Sequence, residues 1–269
     1  AVHTAVQLAR KLDLGRASGF INAVLRACER ERETLRAALD RLQTDDPATG
    51  YSHPAWLVRR WTARWGTDVT GKLLTWNNCP AEIHARTNTL RTDAETLATR
   101  WDEEGVEYEP LAFPWAEGVP LFRLRSPGAL AALGSFRDGL FYVQDASTLL
   151  AVDLLAPRPG ETVLDLCAAP GGKATLIAQQ MSGEGSVTAC DVQPRRLERL
   201  LDNLARLGAA CVEAKPASVF GGQPIYDRVL VDVPCSNTGV LRRRVDRRWR
   251  LRMEDLPPLA RQQKDLLAQ

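Results

Sequence analysis

The chain has 269 residues, 45% of them hydrophobic and 25% charged, a balance that suits a globular protein with a buried core. No run of 18 apolar residues occurs, and the opening AVHTAVQLARKLDLG lacks the pattern of a secretory signal, so neither a membrane span nor a leader is expected. The net charge of +2 excludes strong non-specific attraction to nucleic acid, although 30 of the 35 basic residues are Arg, the better fork for phosphate.

Six cysteines (Cys28, Cys79, Cys167, Cys190, Cys211 and Cys235) form no CxxC pair, and His3, His53 and His84 lie near no two of them. The composition thus points to no metal site, no disulfide framework and a reduced, cytoplasmic setting.

Residues 1–42 read as two helices separated at Gly15, with Ser18 as N-cap of the second, and Ile21, Val24, Leu25, Cys28, Leu35, Leu39 and Leu42 at helical spacing. Two helices enclose no core, so their apolar faces need a partner. QTDDPATGYSHP is a linker. Residues 43–136 suggest a small α+β module: Trp56, Trp61, Trp65 and Trp76 fall in a helical pair and are expected in the core, while HARTNTL and LFRL read as strands. From residue 137 to 269 helices and strands alternate. ETVLDL, SVTACD and YDRVLVD are short buried strands, with helices over QDASTLLAVDLLA, GGKATLIAQQM and Pro194 to Leu207. On the last helix Leu197, Leu200, Leu201, Leu204 and Leu207 are expected to share a face. The alternation predicts an α/β domain with a parallel, doubly wound sheet.

Three features carry chemistry. The first is DLCAAPGGK (165–173) at a strand-to-helix turn, where small residues admit a ligand to main-chain N–H groups. Asp191 ends the next strand, 19 residues after Gly172, where a carboxylate accepts both hydroxyls of a ribose. The pair predicts a nucleoside-cofactor site; the P-loop spacing is absent. The second is DVPCSNTG (232–239), which brings Asp232 and Cys235 to the carboxyl end of a strand. The third is LRRRVDRRWRLR, with seven Arg between Arg242 and Arg252. Their place after the thiol loop favours phosphate contacts, and Trp249 suits either base stacking or anchoring.

Together these motifs resemble those of the S-adenosylmethionine-dependent RNA cytosine-5 methyltransferases, and within them the bacterial small-subunit ribosomal RNA subfamily of the Sun or Fmu type. ASGFINAVLR, YSHPAWLVRRW and FYVQDAS extend the resemblance along the whole chain. It implies a Rossmann-like class I methyltransferase sheet at 137–269, without its last strands. Ahead of it would come the α+β module at 43–136 and the end of an all-α, NusB-like RNA-binding domain at 1–42. It implies that Cys167, Ala168, Ala169, Pro170, Gly171, Gly172 and Lys173 cradle S-adenosylmethionine, that Asp191 holds its ribose, and that Asp232 lines the site near the methyl group. RNA is the implied partner, contacted by Arg242, Arg243, Arg244, Arg247 and Arg248, with no membrane and no metal involved.

The implied chemistry is covalent. A thiolate adds to cytosine C6, C5 then attacks the methyl group, and loss of the C5 proton and elimination of the thiol follow on an unstacked base. By this resemblance Cys235 assists product release, and the nucleophile belongs to a threonine-cysteine-serine loop. No such tripeptide occurs here, so the nucleophile is expected beyond Gln269 and the chain is expected to be incomplete at both ends. VEAKPAS (212–218) departs from the pattern too: Lys215-Pro216 stands where an Asp contacts adenine, and Ala217 and Ser218 replace no carboxylate. A non-catalytic RNA-binding or assembly factor and a transfer RNA methyltransferase stay open as alternatives. A nucleotide-dependent oxidoreductase would leave the proline-cysteine loop unexplained.

Overall fold

The computed structural model describes residues 2–217 and 225–268, so Ser218 lies outside the described residues. It divides into two compact units, one of Ala1–Pro80 with Ser236–Leu256 and one of Ala81–Cys235 with Pro257–Gln269. These differ from the boundaries at 42 and 136 suggested by composition, because residues 236–256 pack with the N-terminal helices.

The first unit begins with α1 (Val2–Lys11), α2 (Ser18–Arg30), α3 (Arg32–Asp45), the turn α4 (Pro47–Gly50) and α5 (Ala55–Asn78). Ser18 is not an N-cap. A 3-10 turn at Gly15–Ala17 leads directly into α2, and the Ser18 hydroxyl donates to Gly15 O at 2.6 Å. The expected single second helix is interrupted at Glu31. Phe20, Val24, Leu35, Leu39 and Leu42 are exposed, in keeping with an apolar stripe that needs a partner. Helix α5 is broken at Gly66, whose φ of 80° suits a residue without Cβ, and this yields the expected helical pair. Trp61 is buried beside Leu57, Val58, Leu74 and Leu241, whereas Trp65 and Trp76 are exposed, contrary to the core expectation.

The second unit holds two four-stranded sheets. The first combines β1 (Ile83–Thr87), α6 (Ala94–Glu104), β2 (Glu107–Leu111), β3 (Leu121–Arg125), α7 (Gly134–Arg137) and β4 (Phe141–Val143) in antiparallel order β2-β3-β1-β4, a ferredoxin-like β-α-β-β-α-β arrangement. HARTNTL and LFRL supply β1 and β3 as expected. Pro110 hides β2 from sequence patterning, and β2 lies at the sheet edge, where a missing N–H is tolerated. Trp101 of α6 fills the core with ring contacts of 5.2 Å to Phe122 and to Phe141.

After α8 (Leu150–Leu155) comes the parallel sheet: β5 (Thr162–Asp165), α9 (Gly172–Gln180), β6 (Ser186–Asp191), α10 (Pro194–Leu207), β7 (Val212–Pro216) and β8 (Arg228–Leu230). The order β7-β6-β5-β8, all parallel, is the doubly wound arrangement, with its topological switch between β5 and β8. Leu200, Leu204 and Leu207 are buried on α10. Leu201 is exposed, since one residue past Leu200 a helix has turned about 100°. Strand β8 is shorter than YDRVLVD suggested and, among the described residues, borders β5 alone, which leaves Val229 half exposed. The chain continues through α11 (Arg247–Arg250) in the first unit to α12 (Leu256–Leu267). Among the described residues no helix is long and apolar enough to cross a membrane.

Candidate nucleoside-cofactor site

Ligands of open α/β sheets bind beyond the carboxyl ends of the strands, at the switch point. There β5 delivers Asp165 and the loop 166–171, β6 delivers Asp191, and β8 leads into Asp232. The loop is tied from below: Ala168 N donates to Cys190 O at 2.8 Å, and Gly171 N to Ala168 O at 2.8 Å. Gly171 sits at φ 106°, and a Cβ there would come within 2.8 Å of Leu200 Cδ1; one on Gly172 would come within 2.9 Å of Tyr142 Cε1. The tandem glycine therefore lets α9 start against the sheet, with its first N–H groups free of intrahelical acceptors.

Electrostatically the site is acidic and buried. Lys173 Nζ is 2.7 Å from Asp232 Oδ2, and Arg196 approaches Asp191 Oδ2 at 3.4 Å while donating to Ala169 O. Asp191 is 3% exposed and accepts Gln193 N at 3.1 Å through Oδ1, while its Oδ2 has no hydrogen-bond partner. Asp165 is fully buried, and neither of its oxygens has one. Burial pushes the Asp165 carboxyl up to about 7; Lys173 opposes this, Asp232 and Asp191 reinforce it, and the Cys167 main chain gives the least relief. Burial likewise raises the Cys167 thiol, and lifts Cys190 to about 11, so neither is a ready thiolate. Three carboxylates face two cations, and buried unpaired oxygens are costly. The arrangement fits a ligand that brings hydroxyl donors to Asp191 and positive charge toward Asp165.

Two family models match the chain: "Methyltr_RsmF/B-like, ferredoxin-like domain" over residues 53–121 and "16S rRNA methyltransferase RsmB/F" over residues 152–269. "Ribosomal RNA small subunit methyltransferase B" of Escherichia coli O157:H7 (strain EC4115 / EHEC) is 38% identical over 257 residues. The chain belongs to the RsmB/F family of methyltransferases. That match covers 93% of this chain and 56% of the relative, so the chain spans about half the length of the curated relatives it matches. Among solved structures, PH0851 superposes with a TM-score of 0.77 at 28% identity, over 98% of this chain and 59% of that one. A methyltransferase homolog protein from Pyrococcus horikoshii superposes with a TM-score of 0.63 at 31% identity, over 75% and 66%.

The remaining residues singled out in the sequence are placed less uniformly. Pro216 is the register partner of Asp191 at the end of β7, so the departure from the family's Asp lies at the ligand end of the sheet, and Lys215 is paired with Glu213 at 2.8 Å. Cys235 is exposed, in a loop held by Gln263 of α12, whose Nε2 donates to Pro234 O at 2.9 Å. The arginines divide. Arg243 and Arg244 are exposed. Arg242 lies 3.9 Å over the Trp76 ring and donates to Pro80 O. Arg248 is 4% exposed and donates to Asn77 O, Asn78 Oδ1 and Ser52 O, so its guanidinium is committed inside the first unit and does not face a phosphate. Sequence reasoning passed over Asp165 as a ligand and Arg196 as its neighbour's partner. The signal was there for Asp165: a carboxylate that ends an apolar strand is drawn into the core with it.

Proposed function

We propose that the chain binds S-adenosylmethionine at the β5/β8 switch point and belongs to an enzyme that methylates cytosine C5 in small-subunit ribosomal RNA. The observation that carries the reading is a pair of buried carboxylates at the carboxyl ends of adjacent parallel strands, with both oxygens of Asp165 and Oδ2 of Asp191 left without a hydrogen-bond donor. S-adenosylmethionine supplies a methyl group on a cationic sulfonium. Residues 167–173 would cradle its methionine and ribose portions, and Asp191 would accept the ribose hydroxyls. Asp165 would neutralise positive charge from below, and Asp232, steadied by Lys173, would face the transferable methyl. Pro216 leaves the adenine side to apolar contact.

For the RNA, Arg243 and Arg244 are the candidates for phosphate contact on solvent access, with Arg242 and Arg247 beside them. Cys235, on an exposed loop, suits the product-release role. The covalent step at cytosine C6 needs a thiolate, and burial keeps Cys167 and Cys190, close in the chain to Asp165 and Asp191, from being ready ones. Residues 1–269 are therefore expected to bind the donor without turning over.

The test uses radiolabelled S-adenosylmethionine and unmethylated small-subunit ribosomal RNA. Residues 1–269 should retain donor in equilibrium dialysis but transfer no label. A chimera with the family's threonine-cysteine-serine segment appended should transfer it and release tritium from 5-tritiated cytosine. Robust transfer by residues 1–269 would contradict the assignment of roles, and lack of donor retention would contradict the site.

A further inference from the structure

Arg86 is the one fully buried arginine among the described residues, and it does not belong to the parallel sheet. It sits on β1 of the ferredoxin-like sheet and reaches α9 of the same unit. Its Nη1 donates to Gln179 Oε1, and its Nη2 donates to Thr175 Oγ1 at 3.0 Å and more weakly to Gly172 O at 3.4 Å. Thr175 Oγ1 in turn donates to Gly171 O at 2.8 Å. A charged donor is thus relayed through one hydroxyl onto the carbonyls of the two glycines that start α9. Among the described residues no acidic side chain pairs with Arg86; its charge is spent on neutral acceptors and on the Tyr142 ring, 5.8 Å away.

A buried cation is expensive, and replacing it by an apolar side chain of similar size is often neutral or stabilising for a fold. Here its partners are the turn that aims the first N–H groups of α9 at the ligand position. We propose that Arg86 is a positioning residue for the methyl donor: through Thr175 it fixes the Gly171-Gly172 turn in its binding geometry without touching the ligand. The inference rests on the donor reading above. Its two arms do different work. The Thr175 and Gly172 arm sets the turn, while the Gln179 arm, continued by Gln179 Nε2 to Asn88 Oδ1 at 2.6 Å, fastens α9 to the β1 end.

The experiment measures S-adenosylmethionine affinity and thermal stability for five forms of residues 1–269. Thr175→Val, which keeps the shape and removes the relay, should weaken donor binding about tenfold, the effect of one charge-assisted hydrogen bond. Arg86→Met should match it, and Thr175→Ser, which restores the hydroxyl, should bind within twofold of wild type. Gln179→Ala should lower the melting temperature yet bind within twofold. A folded Thr175→Val protein that binds as wild type overturns the proposal, and so does Gln179→Ala weakening binding as much as Thr175→Val. If Arg86→Met does not fold, the Thr175 pair decides. Wild type that binds no donor overturns the donor reading and this inference with it; wild type that binds beside an unaffected Thr175→Val overturns this inference alone.

Discussion

Two charged regions of the chain invite a functional reading, and they differ in whether the protein has already satisfied them. At the ends of β5 and β6, three carboxylate oxygens of Asp165 and Asp191 are buried without hydrogen-bond partners. In the arginine run of the first unit, Arg248 is equally buried but delivers its guanidinium to Asn77, Asn78 and Ser52. The first, on the proposed reading, is where a hydroxyl donor and positive charge would be received. The second is partly a structural clamp that happens to be written in arginine. Buried charge points to a ligand where its partners are absent, and to architecture where they are present.

That contrast is open to breakage at both ends. Asp191→Ala should cost the most: it removes the acceptor for two ribose hydroxyls, and donor affinity measured by calorimetry should fall about 100-fold, at about 1.4 kcal/mol for each tenfold step. Folding stability should fall by about 1 kcal/mol at most, since Asp191 contributes one hydrogen bond, from Gln193 N, and a 3.4 Å ion pair with the partly exposed Arg196. An unchanged affinity would remove Asp191 from the site. Arg248→Met should show the opposite profile. It leaves three acceptors in the first unit short of a donor and should cost about 3 kcal/mol in urea unfolding, with RNA affinity of the folded protein unaffected. Loss of RNA binding at unchanged stability would instead return Arg248 to the interface.

A subtler probe is the pH dependence of the parallel sheet. Burial pushes the folded Asp165 carboxyl up to about 7, against 3.8 for an exposed group. Between those values the folded chain holds a proton that the unfolded chain has lost, so stability of the ligand-free protein should fall as pH rises from about 4 to about 7. Asp165→Asn should flatten that fall, by about 2–4 kcal/mol across the interval. A pH-stability curve identical to wild type would show that Asp165 is solvated. The smallest effect belongs to Arg244→Ala: stability within about 0.5 kcal/mol, and a salt dependence of RNA binding shallower by about 0.7–0.9 in slope if one phosphate contact is lost.

Much of the parallel sheet was legible because its signals are local. SVTACD and Pro194–Leu207 coincide with β6 and α10, and the glycine turn and Asp191 fall at the helix start and strand end where their spacing put them. Strand β7 was missed since VEAKP alternates weakly and ends in proline, and β2 for the same reason. The exposed Trp65 and Trp76 were misjudged because helical spacing does not say which aromatic faces the core: Trp61 does, and Trp65, stacked on it at 6.3 Å, does not. Nor does any pattern distinguish Arg248 from Arg244 within RRRVDRRWR. Which arginine turns inward depends on Asn77 and Asn78, some 170 residues away in the chain. Arg86 is of the same kind: its meaning lies in Gly172 and Thr175, on another sheet's helix.

The most direct measurement is a calorimetric titration of S-adenosylmethionine into residues 1–269 at pH 6.5, run in two buffers of different ionisation enthalpy. A cation arriving beside a carboxyl that titrates near 7 should bind at a single saturable site and release a fraction of a proton, and the release should vanish in Asp165→Asn. Absence of binding, or binding with no proton released by the wild type, would contradict the claim that these orphaned carboxylates await a cationic methyl donor.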